Sequence, residues 1–209
     1  MDTKPSDFFI GVMDFFAILV PGAIFTFMLA PWATREVFGP ILPTINSNET
    51  GWAAFILAAY VLGHLLHHLG SVFDYTYDHI YVKAKRKHGE DFLLKKTREI
   101  MNKDLGQDNG LSAFVWAGSY VRLKSATAAL ELDRSGGDSK FFRSLCLVAF
   151  ANGLAFLWQG QLLPAIVALL VAVFSWARFA KRRWDTSQRT YEYFILLRQV
   201  MDSNDKMMT

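Results

Sequence analysis

The residue types best suited to chemistry cluster at the end of one apolar run. His64, His67, His68, Ser71, Asp74 and Asp78 are separated by steps of three and four. On a helix those steps place side chains on one face, so the six make one polar stripe. A lone carboxylate, Asp14, interrupts an earlier apolar run that begins near Phe8. Three chemistries follow from these groups. His64 and His68, at i and i+4, can hold one divalent metal ion, with Asp14, Asp74 or His79 adding ligands. A chain of Asp and His inside a membrane can relay protons or ions. The same groups can also join helices of a bundle or oligomer through buried hydrogen bonds, with no cofactor at all. The third reading is the one favoured here. It predicts that metal removal is tolerated and that changing Asp14 costs assembly.

The elements that carry these residues are apolar enough to point to a membrane. Of 209 residues, 52% are apolar, 18 are Phe and only 20% are charged, with a mean hydropathy of +0.19. A soluble domain carries about a quarter charged residues. The composition disfavours a disordered chain, a collagen-like chain and a disulfide scaffold. The single Cys146 cannot close an intrachain disulfide and reads as a packed small apolar residue. Acidic Asp2 and Asp7 stand where a signal peptide would be basic, so the first apolar run is expected to be kept.

Four spans are predicted. Phe8 to Ala30 is the first, with Pro21-Gly22 expected to kink it and Trp32 at its end. Residues 31–50, with Pro31, Pro40 and Pro43, read as a loop. The second span runs over 51–73. Between Ser144 and Ala177 there is no charged residue, yet Gln159-Gly160-Gln161 followed by Pro164 reads as a turn into a new helix. A tight hairpin of two short spans over 141–180 results. Arg143 and Arg178 bracket it and are expected to snorkel. Asn152 reads as an interhelical hydrogen bond. In this arrangement Asp14 lies about 9 Å into the membrane, six residues past Phe8, and the histidines lie at a similar depth. The expected partner of Asp14 is His67 or His68.

Orientation follows from the basic residues. Residues 74–143 hold 13 of the 22 Lys and Arg, the tail from Arg178 holds 7, and Lys4 adds one; the loop 31–50 holds only Arg35. The positive-inside rule then puts both termini and the middle segment in the cytoplasm. The runs Lys83, Lys85, Arg86, Lys87 and Lys181, Arg182, Arg183, with Arg143 and Arg178, read as topology anchors or contacts to lipid headgroups. They lack the interleaved aromatic residues of a nucleic-acid surface, and no direct nucleic-acid contact is expected.

The segments are therefore 1–73 (first hairpin), 74–140 (cytoplasmic), 141–180 (second hairpin) and 181–209 (cytoplasmic helix and tail). Within the cytoplasmic part, 91–105 places Leu93, Thr97, Ile100, Met101 and Leu105 at helical spacing. Residues 112–133 place Val115, Tyr120, Leu123, Thr127 and Leu130 on one face. Ser135-Gly136-Gly137 is expected to end that helix, and Asp138 to cap the next. The tail 181–200 keeps helical spacing in Trp184, Tyr191, Ile195 and Val200, and can continue the fourth span.

Two resemblances accompany these readings. His64-Leu-Leu-His67-His68 matches the H-x-x-H-H box of membrane fatty-acid hydroxylases and desaturases. Those enzymes use several such boxes, whereas this chain has five histidines and His79 and His88 form no second box. The segment Glu131–Leu145 (ELDRSGGDSKFFRSL), the hairpin after it, and Arg182-Arg183-Trp184 with Tyr191 resemble small four-span inner-membrane proteins of bacteria, of the kind found as membrane subunits of phage-defence systems. The resemblance implies an oligomer working with a soluble cytoplasmic partner docked on helices 91–105 and 112–133. It fixes no residue role.

The expectation is an all-α polytopic membrane protein with four spans and both termini inside. It is read as a non-enzymatic homo-oligomer of the bacterial inner membrane. Small residues Gly11, Gly22, Ala53, Ala54, Ala58 and Ala59 are available for close helix contacts. The alternative is a membrane metalloenzyme or a proton or ion transporter built on Asp14 and the histidines.

Overall fold

The computed structural model describes residues 5–32, 48–87, 89, 91–106 and 110–208, with the side chains of 5–14, 31–32, 48–50, 202 and 204–208 outside that description. Residues 33–47 of the loop 31–50 and the side chain of Asp14 thus lie outside the described residues. Among those described, every regular element is helical: α1 (Pro5–Trp32), α2 (Asn48–Leu69), α3 (Val72–Thr76), a π-helical stretch (Tyr77–Val82), α4 (Lys83–Lys87), α5 (Phe92–Leu105), α6 (Ala113–Lys124), α7 (Ala126–Trp158) and α8 (Leu162–Met208). Among the described residues three helical stretches are long and apolar enough to cross a membrane: Gly51–Lys87, α7 and Leu162–Met201 of α8. A shorter apolar stretch, Phe15–Ala30, lies in α1.

The chain divides into two compact units. The first draws on Met1–Tyr75 and Gly137–Phe179, the second on Thr76–Gly136 and Ala180–Thr209. In the first unit, α1 packs against α2 through residues without bulk. Gly22 lies so close to the backbone of Ala59 and Gly63 that a Cβ would stand 2.7 Å from the Gly63 nitrogen and nearer still to the Ala59 carbonyl oxygen. Gly63 in turn meets the backbone of Ile18. The helix continues across Pro21, which is fully buried, and Thr26 donates to the Gly22 carbonyl at 2.8 Å. Of the small residues expected at a contact, Gly22 and Ala59 are in it, Ala53 and Ala54 are exposed, and the side of Gly11 is not described.

The hairpin between α7 and α8 turns where glycine allows it. Gly160 has φ of 72°; its N–H donates to Leu157 and that of Gln161 to Phe156. The two bonds form a Schellman motif that satisfies the last carbonyls of α7. Gly153 seats Leu169 of the facing arm. Cys146, Ala149 and Ala172 pack together under Phe73 and Trp176.

In the second unit the core is aromatic. Phe194 of α8 is fully buried between Trp116 and Tyr120 of α6, at ring distances of 4.6 and 5.1 Å, with Val121, Leu132, Tyr191 and Ile195 around it. Helix α5 buries Thr97 and Met101, while Leu105 is exposed.

Two sequence expectations are corrected here. The buried face of α6 is Ala113, Ala117, Gly118 and Val121, not the face of Val115 and Leu123, which are exposed. Small residues win because they let the backbone of α6 approach the large rings of α8. The helix also ends at Ser125, which is extended (φ −145°, ψ 105°), and α7 starts at once. Ser135-Gly136-Gly137 does not break α7, and Asp138 caps nothing, since the helix runs through all four. Two glycines weaken a helix by about 0.5–1 kcal/mol each and do not forbid it. Ser135 meets the Thr186 hydroxyl at 2.7 Å, which ties this part of α7 to α8.

These glycines differ in a way that can be measured. Gly22→Ala should lower the thermal stability of the detergent-solubilised protein by about 1–3 kcal/mol, the cost of overpacking. Gly136→Ala, where a Cβ would meet nothing within 4 Å, should raise it by about 0.5–1 kcal/mol.

Candidate functional site

Helix α2 ends at Gly70, and the way it ends builds the site. Ser71 N–H would donate to His67 in an unbroken α-helix. It donates instead to His68, at 3.1 Å, and Phe73 and Asp74 bond back to Gly70 and Ser71 in the same tight manner. The His67 carbonyl is thus left without its helical donor, one of the orphans a helix end creates.

Arg143 of α7 supplies the donor. Its Nη2 donates to the His67 carbonyl at 3.1 Å, and its Nη1 lies 3.0 and 3.2 Å from the two Asp74 carboxylate oxygens. The His67 ring is 3.4 Å from Nη2. Gly70 makes the room: a Cβ there would stand 3.2 Å from Arg143 Cγ. The Arg143 side chain is only 10% exposed and that of Asp74 28%. The Arg143 Nε–H and the neighbouring Ser144 hydroxyl, both buried, have no hydrogen-bond partner among the described residues.

Arg143 is therefore not the snorkelling anchor expected from its place at the head of the hairpin. It turns inward because the break at Gly70 presents a carbonyl and a carboxylate a few residues apart. Arg178 does lie outward, with its guanidinium 5.8 Å from the Phe142 ring centre.

The polar stripe is divided. His67 and Asp74 meet at Arg143. His64, His68 and Ser71 are exposed, and His64 packs edge-on against Tyr60 at 4.6 Å. Asp78 is exposed in the second unit. The proposed pairing of Asp14 with His67 or His68 lies outside the described side chains. Among the described residues no group of three or more His, Cys, Asp or Glu is placed to hold a metal ion. Asn152 donates to the Val148 carbonyl of its own helix, at 2.9 Å, and not across helices.

Beyond the uncharged stretches, the basic runs sit on aromatic residues in the second unit. Arg183 lies 5.1 Å from the centre of the Tyr77 ring and Lys85 6.0 Å from that of Tyr81. Tyr77 and Tyr81 stack at 5.9 Å, both within the π-helical stretch. Burial pushes the Tyr77 and Tyr191 hydroxyls above the usual phenol range, opposed by Arg183 for the first and by Arg86 and Arg98 for the second. Lys83, Arg86, Lys87 and Lys181 are exposed, and Arg182 is half-buried. The spacing of Asp74 and Arg143, 69 residues apart, carries no sequence signal, so their pairing was not foreseeable from pattern.

No protein-family model matches the chain, and neither a curated protein nor a solved structure does.

The Arg143 cluster has a stability test. Asp74→Asn leaves the Arg143 cation without its carboxylate and should cost about 2 kcal/mol, less than for a fully buried pair because Asp74 keeps some solvent. Arg143→Met combined with Asp74→Asn should restore part of that loss. A double-mutant cycle read by thermal unfolding in detergent should give a coupling of about 1–3 kcal/mol. His68→Ala should leave that coupling unchanged, since His68 does not touch Arg143.

Proposed function

We propose that this chain is a non-enzymatic, homo-oligomeric inner-membrane protein with four spans, both termini cytoplasmic, whose helical cytoplasmic part engages a soluble partner. One observation carries the oligomer. On α2, Leu57, Val61, His64, Leu65 and His68 are exposed at steps of three and four, opposite Ala59, Gly63 and Leu66, which are buried. Hydrocarbon cannot satisfy an imidazole, so a face that mixes two histidines with apolar residues calls for a protein partner at that depth. A second copy of the same face offers imidazoles as donors and acceptors to one another. The count of basic residues supports the orientation, and the resemblance of the C-terminal half supports a role as the membrane subunit of a defence system, as sensor, scaffold or membrane-disrupting effector. Lipids cover the remaining apolar surface, which includes Phe27, Trp52, Val173 and Phe174.

The alternative, a metal or proton site, rests on His64 and His68 standing at i and i+4 on one exposed face. It needs ligands beyond those two, from a second copy or from Asp14.

Cysteine cross-linking separates these readings. In a Cys146→Ala background, Val61→Cys should give a disulfide-linked dimer in oxidised membranes, whereas Phe174→Cys on α8 should give far less. Equal yields, or no dimer from Val61→Cys, would sink the oligomer through α2. About one metal ion per chain by elemental mass spectrometry, lost in His64→Ala/His68→Ala, would replace the scaffold reading with the metal reading.

A further inference from the structure

In the first unit a groove runs along the paired arms of α7 and α8. Its floor is Val148 and Ala149, both buried, with Ala168 of α8, and its volume is about 540 Å³. The two alanines leave the hollow that larger side chains would fill. Along the rim, Ile24 of α1 and Val167 and Val171 of α8 are exposed, so the groove is open along its side. On α7 it reaches from Leu145 to Phe156. At about 1.5 Å per residue that stretch is about 16 Å long. The hydrocarbon of one leaflet, half of a bilayer core, is about 15 Å deep.

The chemistry of the groove is that of hydrocarbon. Its walls on α7 and α8 fall within the stretch from Ser144 to Ala177 that carries no charged residue. Asn152 is the one polar side chain lining it, and its amide donates to the Val148 carbonyl of its own helix at 2.9 Å. A buried water makes about three hydrogen bonds, and one engaged carboxamide does not supply them. Helices that associate in a membrane draw on hydrogen bonds across the contact. The α2 face with His64 and His68 is equipped for that, and this groove, with its one amide engaged, is not. Its volume falls within the range of about 300–1,000 Å³ typical of sites for small, largely apolar ligands. We propose that the groove is a binding site for one acyl chain of a membrane phospholipid, laid lengthwise against α7 and α8. The site rests on α7 and α8 crossing the membrane, as the proposed function has them, and not on the oligomer.

Full-length protein freed of lipid in detergent is titrated with long-chain phosphatidylethanolamine, and bound lipid is counted by native mass spectrometry. A single lipid per chain should stay bound. Exchanging the headgroup for that of phosphatidylglycerol should change its retention little. A phosphatidylethanolamine whose chains are too short to reach from Phe156 to Leu145 should be held about tenfold or more less tightly, because each lost methylene gives up its burial. Ala168→Phe fills the floor and should weaken retention of the long-chain lipid to a similar degree. Val173→Phe, at an exposed position of α8 outside the groove, should leave it unchanged. Val167→Trp, at the exposed rim, repeats the test should Ala168→Phe fail to fold. Equal retention by all three variants, or binding set by headgroup and not by chain length, would overturn the site. So would an oligomer that Ala168→Phe abolishes while the wild type holds no lipid, which would give the groove to a second copy. Release of the chain from membranes by alkaline carbonate would overturn the membrane reading and the site together, whereas lost retention in a carbonate-resistant protein overturns the site alone.

Discussion

A cation that is nine-tenths buried in an apolar helical unit has to be answered within that unit, and Arg143 is answered by the end of α2. The two features depend on each other. Gly70 stops the helix, which frees the His67 carbonyl, and its missing side chain leaves room for the Arg143 stem. Asp74 follows one turn later and receives the other edge of the guanidinium. Without the break Arg143 would lose a backbone acceptor, and without Arg143 the break would leave a carbonyl exposed to an apolar surrounding, where an unsatisfied polar group is costly. Arg143 thereby ties α7 to the junction of α2 and α3, at the level where their apolar stretches end.

The same junction explains why the polar stripe divides. A helix turns about 100° per residue. His67 and Asp74 stand on either side of the break at Gly70 and both reach Arg143. Within α2, His64 and His68 lie about 60° and 100° round the axis from His67. The pattern of threes and fours therefore describes a band wide enough to serve two neighbours. One edge is taken by Arg143, and the other, with His64 and His68, is exposed. Counting the six residues as a single site conceals this, because spacing fixes a face only to within a third of a turn.

What could be read in advance was local. The turn at Gln159-Gly160-Gln161 follows from a residue free to take positive φ beside a proline placed for a helix start. The continuation of α8 past Ala177 follows from unbroken helical spacing up to Ile195. What could not be read depended on partners distant in the chain. The face that α6 buries was set by the need to admit Phe194, so alanines and a glycine went inside and Leu123 outside, against the ranking of their hydrophobicities. Gly136-Gly137 looks like a break to any local rule, yet tertiary contacts such as Ser135 with Thr186 hold the helix. Arg143 carries the bracketing position of an anchor and the burial of a core residue; only knowledge of where α2 ends tells which prevails.

The second unit distributes its charges on a different principle. Its stability rests on the rings around Phe194, because ion pairs such as Arg122 with Asp133 and Arg189 with Glu131 are half-exposed. Pairs of that kind contribute about 0–1 kcal/mol each. Stability therefore gives little reason for any arginine on this surface to sit where it does, paired or not.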